Sequence, residues 1–221
     1  MAAYYVLPFA LYVILTQIPP AFPSYYPWLY AAVVLVVGTV TGYILITRQL
    51  IRPHRNVIAG VSVGLAGIVL WIWLSGLGAE QYVIRYLPDW LIPKPRAAFN
   101  PFESLPNPAV CRGFVGIRLI GLVLVVPIAE ELFWRGFLMR WVISQDWENQ
   151  EIGQFTPGSF LWVVVLFTLA HPEWLAAAVY CALLNGLIYW KRDLWNCVVA
   201  HGVSNLGLGI YVLVTGTWAL W

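Results

Sequence analysis

Residues 119–135 read Leu119-Ile120-Gly121-Leu122-Val123-Leu124-Val125-Val126-Pro127-Ile128-Ala129-Glu130-Glu131-Leu132-Phe133-Trp134-Arg135. A run apolar enough to cross lipid ends in two adjacent carboxylates, with a guanidinium four residues beyond the second. Ionisable groups are expensive in a bilayer, so each one found there is a functional candidate with a partner to be named. Two histidines, His171 and His201, stand on later apolar segments. A chain that places these groups in or beside lipid-length segments is expected to do chemistry there.

Composition assigns the class. Of 221 residues, 61% are hydrophobic and only 10% charged, with a mean hydropathy of +0.77. Soluble domains carry about 25% charged residues, so the chain reads as an integral membrane protein, an all-α polytopic transmembrane helix bundle. Tyr4, Tyr5, Tyr25, Tyr26, Trp28, Trp71, Trp73, Trp218 and Trp221 cluster near the ends of apolar runs, where amphipathic rings meet the interface. A net charge of +2 without a long basic run argues against a nucleic-acid partner. Cys111, Cys181 and Cys197 form no CxxC pair, and the last two read as small buried hydrophobes.

A crossing helix needs roughly 20 apolar residues. That length predicts about seven spans, near 3–18, 28–47, 57–78, 112–131, 159–171, 174–190 and 195–215. The fifth and sixth are short, with only His171-Pro172-Glu173 between them, and form a tilted or incompletely crossing hairpin. The first run is followed by Gln17-Ile18-Pro19-Pro20 and lacks a basic flank, so it reads as a retained span. Arg48, Arg52, Arg55, Arg140, Lys191 and Arg192 all fall on one side of seven spans, which places that side and the amino terminus in the cytoplasm. On the other side, segment 80–111 carries Arg85, Lys94 and Arg96, and its Trp90-Leu91-Ile92 run suggests a loop lying on the membrane surface. No internal repeat divides the chain, so 1–221 reads as one integral-membrane domain.

Helical rotation separates the two glutamates. Positions four apart nearly eclipse, and positions five apart diverge by about 140°. Glu131 and Arg135 can therefore pair on one face, while Glu130 is left to a different environment. An unpaired carboxylate in a low-dielectric site is suited to moving protons near neutral pH. The plainer reading makes both glutamates a helix-end salt-bridge cluster. Phe167 lies one turn before His171 on the same face, and Pro172 loosens the backbone after it. His201 and Asn205 repeat the four-residue spacing, so imidazole and carboxamide project together. With a span ending at residue 131, Glu130 and His201 fall in the cytoplasmic half of the bilayer and cleavage is expected near that face. His171 would lie roughly 15–18 Å from the same face, so spacing alone does not bring the three together.

These residues resemble a known family. Glu-Glu-x-x-x-Arg (130–135), Phe-x-x-x-His (167–171) and His-x-x-x-Asn (201–205) are similar to the three signatures of the CAAX prenyl protease 2 and bacteriocin-processing (CPBP) intramembrane proteases. The chain also resembles the CAAX-protease-related subgroup that accompanies exosortase sorting systems. The resemblance covers residues near 115–210 and implies a protease-like core at about 112–215. It implies a peptidase in which Glu130 activates water with help from His171, while His201 and Asn205 stabilise the oxyanion. Glu131 and Arg135 would be structural support, as would Phe167 beneath His171. It further implies a membrane-associated protein or peptide as substrate, the lipid bilayer as surroundings, and the bacterial cytoplasmic membrane as location.

No cofactor is expected. The alternative is a divalent metal, with Glu130, His171 and His201 as zinc ligands and water in a fourth position. Two other functions use the same residues: a non-catalytic scaffold or chaperone of a sorting or processing system, and a small transporter relaying protons through Glu130. Gly38-x-x-x-Gly42 and Gly60-x-x-x-Gly64 suit close helix packing within the chain. Arg118 is expected to snorkel or pair within the bundle. Ser204 points away from Asn205 and is not the expected nucleophile. Asn185-Gly186 reads as a helix–helix hydrogen bond or packing notch, and otherwise as cavity lining.

Overall fold

The computed structural model describes residues 1–88, 92 and 98–220. Among them no strand occurs, and seven helices make the bundle. These are α1 (Ala2–Leu15), α2 (Tyr26–Arg48), α3 (Ile58–Gly76), α4 (Pro108–Ile143), α5 (Pro157–Leu169), α6 (Trp174–Lys191) and α7 (Leu194–Thr215). Most of segment 89–97, including Trp90, Leu91, Lys94 and Arg96, lies outside the described residues, and with it the centre of the expected surface loop 80–111, whose flanks carry the short helices Glu80–Ile84 and Pro101–Ser104.

Five stretches are long and apolar enough to cross a membrane: Ala2–Ala21, Pro23–Arg48, Ile58–Gly76, Pro108–Ile143 and Leu194–Thr215. The expected count of seven is thus reduced. Helix α5 has 13 residues, about 20 Å at 1.5 Å per residue, well short of a ~30 Å hydrocarbon core. It stops at Leu169 because Pro172 disfavours helical backbone at the residue before it. Helix α6 follows and is largely interior, burying Ala176, Ala177, Tyr180, Cys181, Leu184, Asn185, Leu187 and Ile188.

Helix α4 corrects the expected span 112–131 more sharply. It runs on to Ile143 as one 36-residue element, so the glutamate pair sits in its interior instead of at its end. Two widened π-helical turns interrupt it, at Gly121–Val125 and Leu132–Leu138. Pro127 gives a physical reason for the first. It lacks the N–H that the carbonyl of Val123 would receive in an α-turn, or that of Leu122 in a π-turn. The second begins directly after Glu131 and contains Arg135. A helix can continue past a buried guanidinium here because that charge is fully paired, as described below.

Caps hold one end of the bundle. The Asp193 carboxylate accepts from the backbone N–H groups of Trp195 and Asn196, closing the first turn of α7. The Asn196 side chain then ties α7 to α3, accepting from Gly60 N–H and donating to the Asn56 carbonyl. Close approach continues along this pair. A Cβ at Gly60 or Gly64 would lie 2.6 Å from the Asn196 or Ala200 carbonyl oxygen, respectively. The Gly60-x-x-x-Gly64 face therefore packs within the chain. Gly38 meets Val125 at ordinary distance, and Gly42 faces open space.

Candidate active site

Glu130 and Glu131 face different surroundings. Glu130 is buried, and its carboxylate accepts from the indole N–H of Trp134 at 3.3 Å. Glu131 is fully buried, and one oxygen accepts from both Arg135 (3.1 Å) and His201 Nδ1–H (2.9 Å). The Arg135 guanidinium is also fully buried. Its Nε donates to the Asn185 carboxamide oxygen at 3.2 Å and its second nitrogen to the Cys181 carbonyl and sulfur at 3.3 and 3.2 Å. The ring of Phe167 covers it at 5.4 Å. A planar, always-charged fork suits such a dry multi-acceptor site better than an ammonium.

The histidines are oriented by opposite means. His171 Nδ1 faces the Phe167 carbonyl at 2.8 Å. A carbonyl can only accept, so Nδ1 carries the proton and Nε2 is the proton-accepting nitrogen of the neutral ring. The imidazole stacks on Phe167 at 4.4 Å and meets the edge of Trp71 at 5.8 Å. His201 is buried, with Nδ1 committed to Glu131 and its ring against Tyr180 at 5.8 Å. Only Nε2 of His201 is left to meet a ligand. Asn205 donates through Nδ2 to the Leu122 carbonyl at 2.8 Å. That carbonyl lies in the π-turn before Pro127, and the contact consumes one of the two amide protons. Between His201 and Asn205, Gly202 lets α7 close on α4, since a Cβ there would lie 2.7 Å from the Val123 carbonyl.

A cavity of about 890 Å³ gathers these elements. Its walls include Glu130, His171, His201 and Asn205, together with Phe167, Trp71, Tyr180 and Arg118. Glu131 and Arg135 stand behind the wall. Sequence spacing assigned the same division between the two glutamates. It did not anticipate that Glu131 would also hold His201.

Other sequence expectations meet definite positions. Ser204 donates to the Gly64 carbonyl at 2.8 Å, a helix-packing contact. Asn185 is a helix–helix hydrogen-bond partner, whereas Gly186 faces open space and is no notch. Arg118 is buried within the bundle, donating to Tyr26 Oη at 2.9 Å, with Tyr30 beneath it at 5.1 Å. Cys181 is buried as expected but is also an acceptor for Arg135. The zinc alternative requires Glu130, His171 and His201 to converge on one ion. Among the described residues, no three His, Cys, Asp or Glu side chains are grouped closely enough to do so. Trp134 and Tyr180 were missed. Trp134 had a signal, its four-residue spacing from Glu130; Tyr180 had none, because tertiary packing brings it to the cavity.

The class defined so far is a helical membrane protein with a largely apolar cavity among its helices, whose wall carries one carboxylate and two imidazoles. Residues 113–207 match the family model described as type II CAAX prenyl endopeptidase Rce1-like. That match covers the segment bearing all three motifs and supports its likeness to the CPBP family, a family of peptidases. No curated protein and no solved structure matches the chain.

Proposed function

We propose that this protein is an intramembrane endopeptidase that hydrolyses a peptide bond of a membrane-associated protein or peptide with water activated by Glu130 and His171. The observation that carries the reading is the shared cavity. Four side chains from three separate segments line it, while the pair Glu131–Arg135 is walled off behind.

The chemistry follows from the orientation of each group. A water between Glu130 and His171 Nε2 can surrender a proton as its oxygen attacks the peptide carbonyl. The carbonyl π electrons move to oxygen, which becomes an oxyanion. The second amide proton of Asn205 is available to that oxyanion. His201 has spent Nδ1–H on Glu131, so it donates from Nε2 as an imidazolium, and the Glu131 carboxylate stabilises that cation. Loss of one such donor costs about 10²–10³ in rate. The proton taken from water by Glu130 and His171 then passes to the leaving amine as the C–N bond breaks. This scheme uses no metal ion. Phe167 positions His171 through stacking and through its carbonyl.

Comparison of membrane peptides from cells carrying wild-type or Glu130→Gln protein tests activity and identifies the target together. We expect a product missing in the variant, and a fall of about 10²–10⁴ in turnover once that substrate is tested with purified enzyme. Wild-type turnover by well-folded Glu130→Gln protein overturns the reading. A scaffold would tolerate Glu130→Gln and His171→Asn in complementation, and a protease would not.

A further inference from the structure

The cavity lies toward one end of the bundle. On α1 its lining comes from Phe9, Tyr12 and beyond, continuing to Pro20 and Pro23. The residues contributed by α2, Tyr26 and Tyr30, are at that helix's start, and those of α3, Gly67 to Trp71, are in its second half. Helix α7 contributes His201 through Gly209, away from its beginning at Leu194.

The opposite end is where the basic residues gather, and its members contact one another across the bundle. Arg48 bonds the Tyr4 hydroxyl, His54 Nε2 lies 3.0 Å from Asp193, and Arg192 pairs with Glu151 at 2.9 Å. Arg140 reaches the Gln150 carbonyl, and the terminal amine approaches Glu148 at 3.6 Å. Above this basic end an aromatic layer floors the cavity. Phe9 stacks on Phe133 at 4.7 Å, and Trp134 meets Phe167 at 5.5 Å.

Sidedness follows from the charge count. Arg48, Arg52, Arg55, Arg140, Lys191 and Arg192 mark the floor end, whereas the sequence joining α3 to α4 and the start of α4 carry Arg85, Lys94, Arg96 and Arg112, six against four. Excess Lys and Arg beside short loops faces the cytoplasm. We propose that the cavity is entered from the non-cytoplasmic side of the membrane, and that its substrate is a polypeptide segment presented at the outer leaflet. The substrate clause rests on the endopeptidase reading; the entry side does not. This inference reverses the cytoplasmic-side cleavage expected from sequence. That expectation placed Glu130 at the end of a span, whereas α4 carries on for 13 residues to Ile143, about 20 Å at helical rise.

Single-cysteine labelling tests it. The three native cysteines are buried, so their background with a membrane-impermeant maleimide is low. Gln17→Cys stands at the cavity mouth and Gln81→Cys at the same end outside it; Arg55→Cys and Glu148→Cys are exposed at the floor end. We expect the first two to label in intact cells and the last two only in inverted vesicles. The reverse pattern overturns the inference, and Gln81→Cys decides if Gln17→Cys fails to fold. The substrate identified by peptide comparison is then displayed on either face. Cleavage confined to the outer version supports the inference, and cleavage confined to the inner one overturns it. If labelling follows expectation and neither version is cut, the endopeptidase reading and the substrate clause fail, while the entry side stands.

Discussion

Glu130 and Glu131 are neighbours in the chain and belong to different regions of the molecule. Glu130 looks into the cavity, where it accepts a hydrogen bond from an indole N–H. Glu131 looks into the sealed half, where a guanidinium and an imidazole converge on a single oxygen. The sealed region joins α4, α6 and α7 through Arg135, Asn185, Cys181 and His201; the open one sets polar side chains along a cavity wall. Identical side chains thus divide the work. The paired carboxylate holds the structure and orients His201, and the cavity-facing one is available to react.

The sharpest way to break this contrast is to remove Arg135. Arg135→Leu leaves Glu131 buried beside His201 alone and frees acceptors on Asn185 and Cys181. Breaking one partner of a buried ion pair costs about 3–5 kcal/mol, read as a lower thermal unfolding midpoint in detergent. Arg135→Lys should recover only part of this, because an ammonium cannot reach three acceptors in one plane. Glu130→Gln should leave the midpoint close to wild type, since an amide oxygen still accepts from Trp134. Equal destabilisation by Arg135→Leu and Glu130→Gln would erase the distinction between the regions.

A second contrast concerns glycines. Gly64→Ala would force a Cβ to within 2.6 Å of a backbone carbonyl on α7, where nothing flexible can yield. Overpacking of this kind costs about 1–3 kcal/mol. It should also move the segment carrying His201, so catalytic rate and stability should fall together. Gly186 faces open space, and Gly186→Ala in the middle of α6 should instead be stabilising by about 0.5–1 kcal/mol. Unfolding midpoints of the two variants measured side by side check both signs. A neutral Gly64→Ala would mean that α3 and α7 can separate without penalty.

How much of this is legible in the sequence depends on how far apart the partners lie along it. The Glu131–Arg135 pair, the stacking of Phe167 on His171 and the projection of His201 with Asn205 are one-turn relations, which helical rotation alone dictates. The His201–Glu131 bond spans 70 residues and depends on how α7 meets α4. Asn205 meets the Leu122 carbonyl in the widened turn ahead of Pro127, 83 residues away in sequence. Pro127 was visible in the sequence, but the partner of the freed carbonyl was not. Helix α4 was cut short at residue 131 because charge was read as a boundary. Burial with complete pairing let the helix continue, and pairing across helices is a tertiary fact. The short α5–α6 hairpin was legible from its length and from Pro172.

A pH-dependent effect is expected at the far end of the sealed region, where Asp193 caps α7. Burial alone would raise the pKa of its carboxyl. Hydrogen bonds from the Asn196 side chain and backbone, from His54 and from the Trp195 backbone outweigh that, and hold it below the usual carboxylate range. A group whose pKa is lowered on folding stabilises the fold above its unfolded value, near 3.9, and loses that contribution as pH falls through the folded value. Asp193→Ala should therefore cost about 0.5–2 kcal/mol at pH 7. The gap between its unfolding midpoint and that of wild type should narrow below about pH 4. Tryptophan fluorescence during thermal unfolding at pH 7 and pH 3 measures both. A gap that stays constant between the two would show that the cap acts through its shape and not its charge. The start of α7 would then be held by packing and neutral hydrogen bonds.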